Sequence, residues 1–126
     1  MSASTATFQE AKILRQAMDD NGRYDAARIA RLLDWSTADI ALYLGRDPST
    51  ISRFRTSTVH QEKLASLASL AQEVFVIMRD DIGAMRAWFR TPIRALERVS
   101  PQQAILRGDF RKVSDLVDES ESGLAY

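Results

Sequence analysis

Residues 37–54, TADIALYLGRDPSTISRF, constrain this chain more than any other stretch. Two short helices crossing closely around a tight bend need a small residue at the crossing and a glycine at the bend. They also need a β-branched apolar residue inside the second helix. Ala41, Gly45 and Ile51 supply the three, spaced four and then six residues apart, with Ile40, Leu44 and Phe54 on the inward face beside them. The start signals agree. Ser36 with Asp39 has the pattern of a capping box for the first helix. Asp47 stands as N-cap of the second, with Pro48 at the first helical position, where a missing N–H costs nothing. The pattern predicts a helix-turn-helix.

The same pattern also suits an αα-hairpin that never touches DNA, and the outward side chains argue against that reading. Ser49, Thr50, Ser52 and Arg53 are short hydroxyls and a long cation, suited to base edges and phosphates. Arg46 and Arg55 flank the second helix, where they would reach a duplex backbone. Thr37, at the start of the first helix, is counted with them. A merely solvated helix more often carries Glu/Lys pairs. Double-stranded operator DNA is therefore one expected partner.

With 126 residues the chain has room for one ordinary domain or two small ones, and 45% hydrophobic residues is normal for a globular protein. Cysteine is absent, which excludes disulfides and thiolate metal sites. No apolar run approaches the roughly 20 residues of a membrane span, and MSASTATFQE lacks the basic-then-apolar order of a secretion signal. A cytoplasmic protein with no membrane partner is expected. Formal net charge is zero, so a fold-wide basic field is missing and DNA affinity would rest on local arginines and on pairing of two copies. A homodimer is expected because one short recognition helix seldom binds tightly enough alone. After Lys112 come Asp115, Asp118, Glu119 and Glu121 with no Lys or Arg. Phosphates would repel that end; a protein is its more natural partner.

Nearly all of the chain reads as helix. Phe8, Ala11, Leu14 and Met18 recur at helical spacing, and Asn21-Gly22 is expected to end that run as a C-cap. Asn-Gly also marks β-hairpins, but neither flank alternates as strands do. Asp25 opens a helix burying Ile29, Leu32 and Leu33. The longest helix runs from His60 to about Met78, with Leu64, Leu67, Ala71, Val74, Phe75 and Met78 on one stripe. Arg79-Asp80-Asp81 marks a boundary, giving a DNA-binding unit over 1–78 and a second unit over 79–126. The second unit begins with a helix carrying Ile82, Met85, Trp88 and Phe89 and stopped at Thr91-Pro92. Ser100-Pro101 opens another helix through Leu106, Gly108-Asp109 turns the chain, and Val113, Leu116 and Val117 mark a last one. The second unit is too small for a robust core of its own and is expected to pack on the long helix or on a partner subunit.

The residues offer little for catalysis or metal binding. His60 stands alone, without a second imidazole or a thiol, and reads as a helix-start or phosphate-proximal residue. Asp80 and Asp81 point about 100° apart on a helix and suit a helix N-terminus better than acid–base work. No cofactor is expected. Arg86, Arg90, Arg94 and Arg98 recur every four residues and would form a basic ridge if the local geometry held, although Pro92 interrupts it; a solvated face is the alternative. Trp35, Trp88 and Phe89 read as core anchors.

The series AWFRTP (87–92) and RALERVSPQQAILRGD (94–109), then Val113, Leu116 and Gly123 to Tyr126, resembles the toxin-binding domain of Xre/MbcA/ParS-type antitoxins. The matching positions are Trp88, Pro92, Leu96, Ser100-Pro101, Leu106, Gly108-Asp109, Gly123 and Tyr126. The preceding Xre-like helix-turn-helix covers the other half. Ile93, Glu97-Arg98 and Phe110 depart from the family, which more often shows a polar residue, a Gly and a small residue there. The resemblance implies an all-α fold in which a helix-turn-helix bundle precedes a small helical toxin-binding domain. It implies a non-enzymatic antitoxin that represses its own operon and neutralises a cognate NAD-consuming RES-domain toxin, its C-terminal segment blocking the toxin's active site. Leu116, Glu119, Gly123, Leu124 and Tyr126, together with Arg94, would meet the toxin. The competing readings are a stand-alone repressor whose C-terminal unit mediates dimerisation, and an interaction adaptor with a retired helix-turn-helix.

Overall fold

The computed structural model describes residues 11–121. Among them the fold is an all-α bundle, with no strand and only two isolated antiparallel bridges, Met18 to Tyr24 and Ile93 to Val99. The first helix, α1 (Lys12–Gln16), has no side-chain cap from its own N-cap residue. Its leading N–H groups are satisfied from across the fold, where the Gln72 carboxamide accepts from Ile13 (2.8 Å) and Leu14 (3.2 Å). Asn21-Gly22 does not cap this helix. It lies in a hairpin-like turn closed by the Asp19 N–H donating to the Arg23 carbonyl at 2.8 Å, with the Asp19 carboxylate accepting from Asn21 and Arg23. Local hydrogen bonding by Asp19 overrides the helical spacing of the apolar residues.

Asp25 caps α2 (Ala26–Leu33), accepting from the Ala27 N–H at 2.8 Å. The Ser36/Asp39 capping box opens α3 (Thr37–Leu44), with both reciprocal bonds formed. Gly45 ends that helix at φ 70°, a left-handed conformation that glycine adopts without a Cβ clash. The chain re-enters helix as a 3₁₀ turn (Pro48–Thr50) running into a single α-turn, α4 (Ile51–Phe54). A second 3₁₀ turn (Thr58–His60) leads into α5 (Gln61–Ile77). Leu64, Leu67, Leu70, Val74 and Phe75 make α5 the post on which the rest packs.

The later elements are α6 (Ile82–Arg90), capped by Asp81, a 3₁₀ turn (Arg94–Leu96), α7 (Pro101–Leu106), opened by a Ser100/Gln103 capping box, and α8 (Phe110–Glu121). Met85, Trp88, Phe89, Leu96, Ile105, Val113 and Val117 are buried in the same cluster as Ile29, Leu33, Ile40 and Leu64. The core is therefore continuous across residue 79. Polar and aromatic links reinforce it: Gln102 on α7 donates to the Asp39 carboxylate at 3.0 Å, and the Tyr43 ring on α3 lies 6.3 Å from that of Phe110.

Glu97 and Arg98, which stand where the resembled family favours Gly, both adopt left-handed backbone, at φ 60° and 68°. Side chains with a Cβ are disfavoured there. Arg98→Gly is expected to stabilise the fold by about 0.5–1 kcal/mol, the relief of strain being partly offset by glycine's larger unfolded-state entropy. A higher urea midpoint at unchanged m-value is the check.

Candidate functional site

The turn after Gly45 presents a short polar element to solvent. The Asp47 carboxylate accepts from the Ser49 N–H and from its hydroxyl, each at 2.9 Å. These two donors hold Asp47 below the ordinary aspartate range, so the cap stays ionised. The Thr50 hydroxyl donates to the Asp47 carbonyl at 2.8 Å. Ser49, Ser52 and Arg53 are exposed, Thr50 is half-buried, and Thr37 is exposed at the start of α3. Phe54, on the opposite side of α4, is buried.

Arg46 and Arg55 flank this element in different states. The Arg46 guanidinium lies over the Phe54 ring, 5.1 Å from its centroid, while the residue stays exposed. Arg55 is engaged internally: it forms a fork with the Asp25 carboxylate, Nη2 to Oδ2 at 2.8 Å and Nε to Oδ1 at 3.1 Å. Its carbonyl also accepts from the Ala26 N–H at 2.7 Å. Burial raises the Asp25 pKa, but the Arg55 pair and the α2 N–H donors outweigh it and leave the carboxyl lowered. Arg55 thus fastens the end of α4 to the start of α2, and its guanidinium, with the side chain 43% exposed, has only part of its donor set left for a phosphate.

His60 is buried behind Phe54, edge-to-face at 5.7 Å between ring centroids. Burial lowers its pKa, helped by the charges of Arg46 and Lys63, and its Nε2 finds no hydrogen-bond partner among the described residues. It is a packing residue at a helix start. Among the described residues no group of three His, Cys, Asp or Glu side chains is placed to hold a metal, and no helix is long and apolar enough to cross a membrane.

The basic ridge does not form. Arg86 donates to the carbonyls of Leu32 (2.9 Å) and Arg31 (3.2 Å) at the end of α2, and Arg90 pairs with Asp34 at 3.0 Å. Both cations therefore serve the C-terminus of α2. Arg94 and Arg98 are exposed in the loop bridged between Ile93 and Val99. On α8, Glu119 is exposed, and it shares a shallow hollow with Ala95, Leu96, Lys112, Asp115 and Leu116. Leu116 is 8% exposed, on the apolar stripe with Val113 and Val117, and reaches the surface in the wall of that hollow. Gly123, Leu124 and Tyr126 lie outside the described residues.

Sequence reasoning did not find the Asp25–Arg55 fork. No local signal marked it, since the two residues stand 30 apart in the chain.

No family model and no curated protein matches the chain. A chain in the crystal structure of the M. tuberculosis MbcT–MbcA toxin–antitoxin complex shares this arrangement, at a TM-score of 0.60 and 18% identity, over 80% of this chain and 94% of that one. The fold is MbcA-like. At this identity the likeness is one of backbone arrangement.

Proposed function

We propose that the chain is the antitoxin of a toxin–antitoxin pair, neutralising a cognate NAD-consuming RES-domain toxin and repressing its own operon. The observation that carries the reading is the MbcA-like fold, matched over nearly the full length of a chain from a toxin–antitoxin complex. The helix-turn-helix of α3 and α4 supplies the repressor role. With its hydroxyl proton directed to Asp47, Ser49 offers lone pairs to a base amino group. The exposed Arg53 offers donors to guanine or phosphate. Arg46 and Thr37 would steady the duplex backbone, with Arg55 fastening the end of α4 to Asp25. The toxin role falls to α8 and to residues 122–126, through Leu116, Glu119, Gly123, Leu124 and Tyr126, together with Arg94. An acidic, aromatic-ended segment suits a pocket whose arginines hold dinucleotide phosphates.

The test is a pair of variants read in two assays. Arg53→Ala is expected to weaken operator binding by about 1–3 kcal/mol per lost base contact, while still rescuing cells that express the toxin and preserving their NAD. A chain lacking Gly123 to Tyr126 is expected to do the reverse. If the shortened chain rescues growth in full, the terminal segment is not the blocking element. If Arg53→Ala shifts operator DNA as well as the parent does, Arg53 is not part of the readout.

A further inference from the structure

Away from α4 and α8, one pocket gathers positive charge and no negative charge. It opens between the end of α1, α2 and α6, and encloses about 330 Å³. Gln16, Arg28, Arg31, Leu32, Ile82 and Arg86 line it, so three of the six are arginines and none is acidic. On a chain with 17 basic and 17 acidic residues, such a grouping departs from the average surface.

The carboxylates nearby do not neutralise it. Asp25 lies 3.8 Å from Arg28, but its oxygens are taken by Arg55 at 2.8 Å and by the Ala27 N–H at 2.8 Å. Asp34 is paired with Arg90, and Asp81 accepts from the Ala84 N–H. Arg86 donates through Nε and Nη2 to two carbonyls, which carry no formal charge, and its Nη1 has no acceptor among the described residues. The Arg31 guanidinium is exposed and joins no ion pair among the described residues. Arg28 and Arg31 stand three residues apart on α2 and share a face, where like charges repel. Setting Arg86 against them adds to that repulsion, and an anion in the pocket offsets it.

The donor set selects the anion. Guanidinium groups meet phosphate oxygens in two-bond forks, and a cleft of one sign focuses its field on whatever enters. One guanidinium balances a carboxylate; three suit a group with several charges on linked oxygens. Arg86 is ordered by its carbonyl bonds before any ligand arrives, which lowers the cost of binding. Gln16 adds a neutral carboxamide, and Leu32 and Ile82 an apolar side. A concavity of this volume suits a small molecule, whereas the phosphates of a duplex lie along a surface.

We propose that this pocket binds the diphosphate group of a small phosphorylated metabolite, held by Arg28 and Arg31 from α2 and by Arg86 from α6. The site is separate from the surfaces assigned to DNA and toxin, since no residue of α4 or α8 lines it.

The experiment titrates the full chain with inorganic pyrophosphate by calorimetry at fixed ionic strength, with sulfate and succinate as comparison anions. The parent should bind a single pyrophosphate saturably and more tightly than either comparison anion. Arg28→Gln and Arg31→Gln, checked for folding by circular dichroism, should each weaken binding about tenfold, the loss of one charged contact. Arg98→Gln removes an exposed arginine outside the pocket and should bind as the parent does. No saturable binding by the parent overturns the proposal, and so does an Arg31→Gln variant that binds like the parent. Succinate binding as tightly as pyrophosphate overturns it too, by making the pocket a carboxylate site. Operator titration keeps the readings apart. If Arg31→Gln weakens duplex binding while the parent ignores pyrophosphate, the pocket belongs to the duplex contact and the metabolite site falls. If pyrophosphate binds through Arg31 and the parent binds no operator, the repressor role falls and the pocket stands.

Discussion

Asp25→Ala is expected to lower the free energy of unfolding by about 3 kcal/mol, making it one of the two most damaging substitutions considered. The side chain performs two tasks from a site only 2% exposed. It caps α2 through the Ala27 N–H, and loss of such a cap costs about 1 kcal/mol. It also receives the Arg55 fork. Removing one partner of a fully buried pair costs about 3–5 kcal/mol. Here Arg55 is 43% exposed and rehydrates, which brings that share down to about 2 kcal/mol. Urea unfolding of parent and variant measures the sum. Acid titration supplies the sign. The folded-state carboxyl is lowered, so its contribution is complete above the ordinary aspartate pKa of about 4 and disappears as pH falls through the lower folded value. Asp25→Asn should lose this part of the acid sensitivity.

Phe89→Ala should cost about 3–5 kcal/mol, because the ring is fully buried and leaves a cavity in α6 that its neighbours only partly fill. The more telling result is where the loss is felt. Trp35 and Trp88, the two tryptophans of the chain, are both buried, one between α2 and α3 and the other on α6. With a core running through both stretches, variants keeping only one tryptophan should unfold at the same urea concentration whichever ring reports. Phe89→Ala should move both midpoints together. Separate transitions, with Trp35 unmoved by the loss of Phe89, would mean that residues 79–126 fold as a unit of their own.

The helices were legible because their signals are local. Asp25, Ser36 with Asp39, Asp81, and Ser100 with Gln103 each cap the element they precede, and apolar stripes picked out Ile29, Leu64, Phe89 and Val113 for the core. The exposure of Ser49, Ser52 and Arg53 followed from the same periodicity, since Ile51 and Phe54 had to turn inward. Reading failed where a distant residue decides the outcome. Arg55 looks free in the sequence because its partner, Asp25, stands 30 residues earlier in the chain. Arg86 and Arg90 looked like a ridge because nothing local shows that the end of α2 packs under them. Asn21-Gly22 was misplaced for another reason: the hydrogen bonds of Asp19 compete with the helix, and a hydrophobic period is blind to such competition.

One oxygen at the head of α3 answers to two masters. Oδ2 of Asp39 takes the N–H of Ser36, closing the first turn, and also the amide of Gln102 on α7. A tug on α7 is thereby transmitted to the turn that carries Thr37 through a pair of bonds sharing one acceptor, with no slack loop in between.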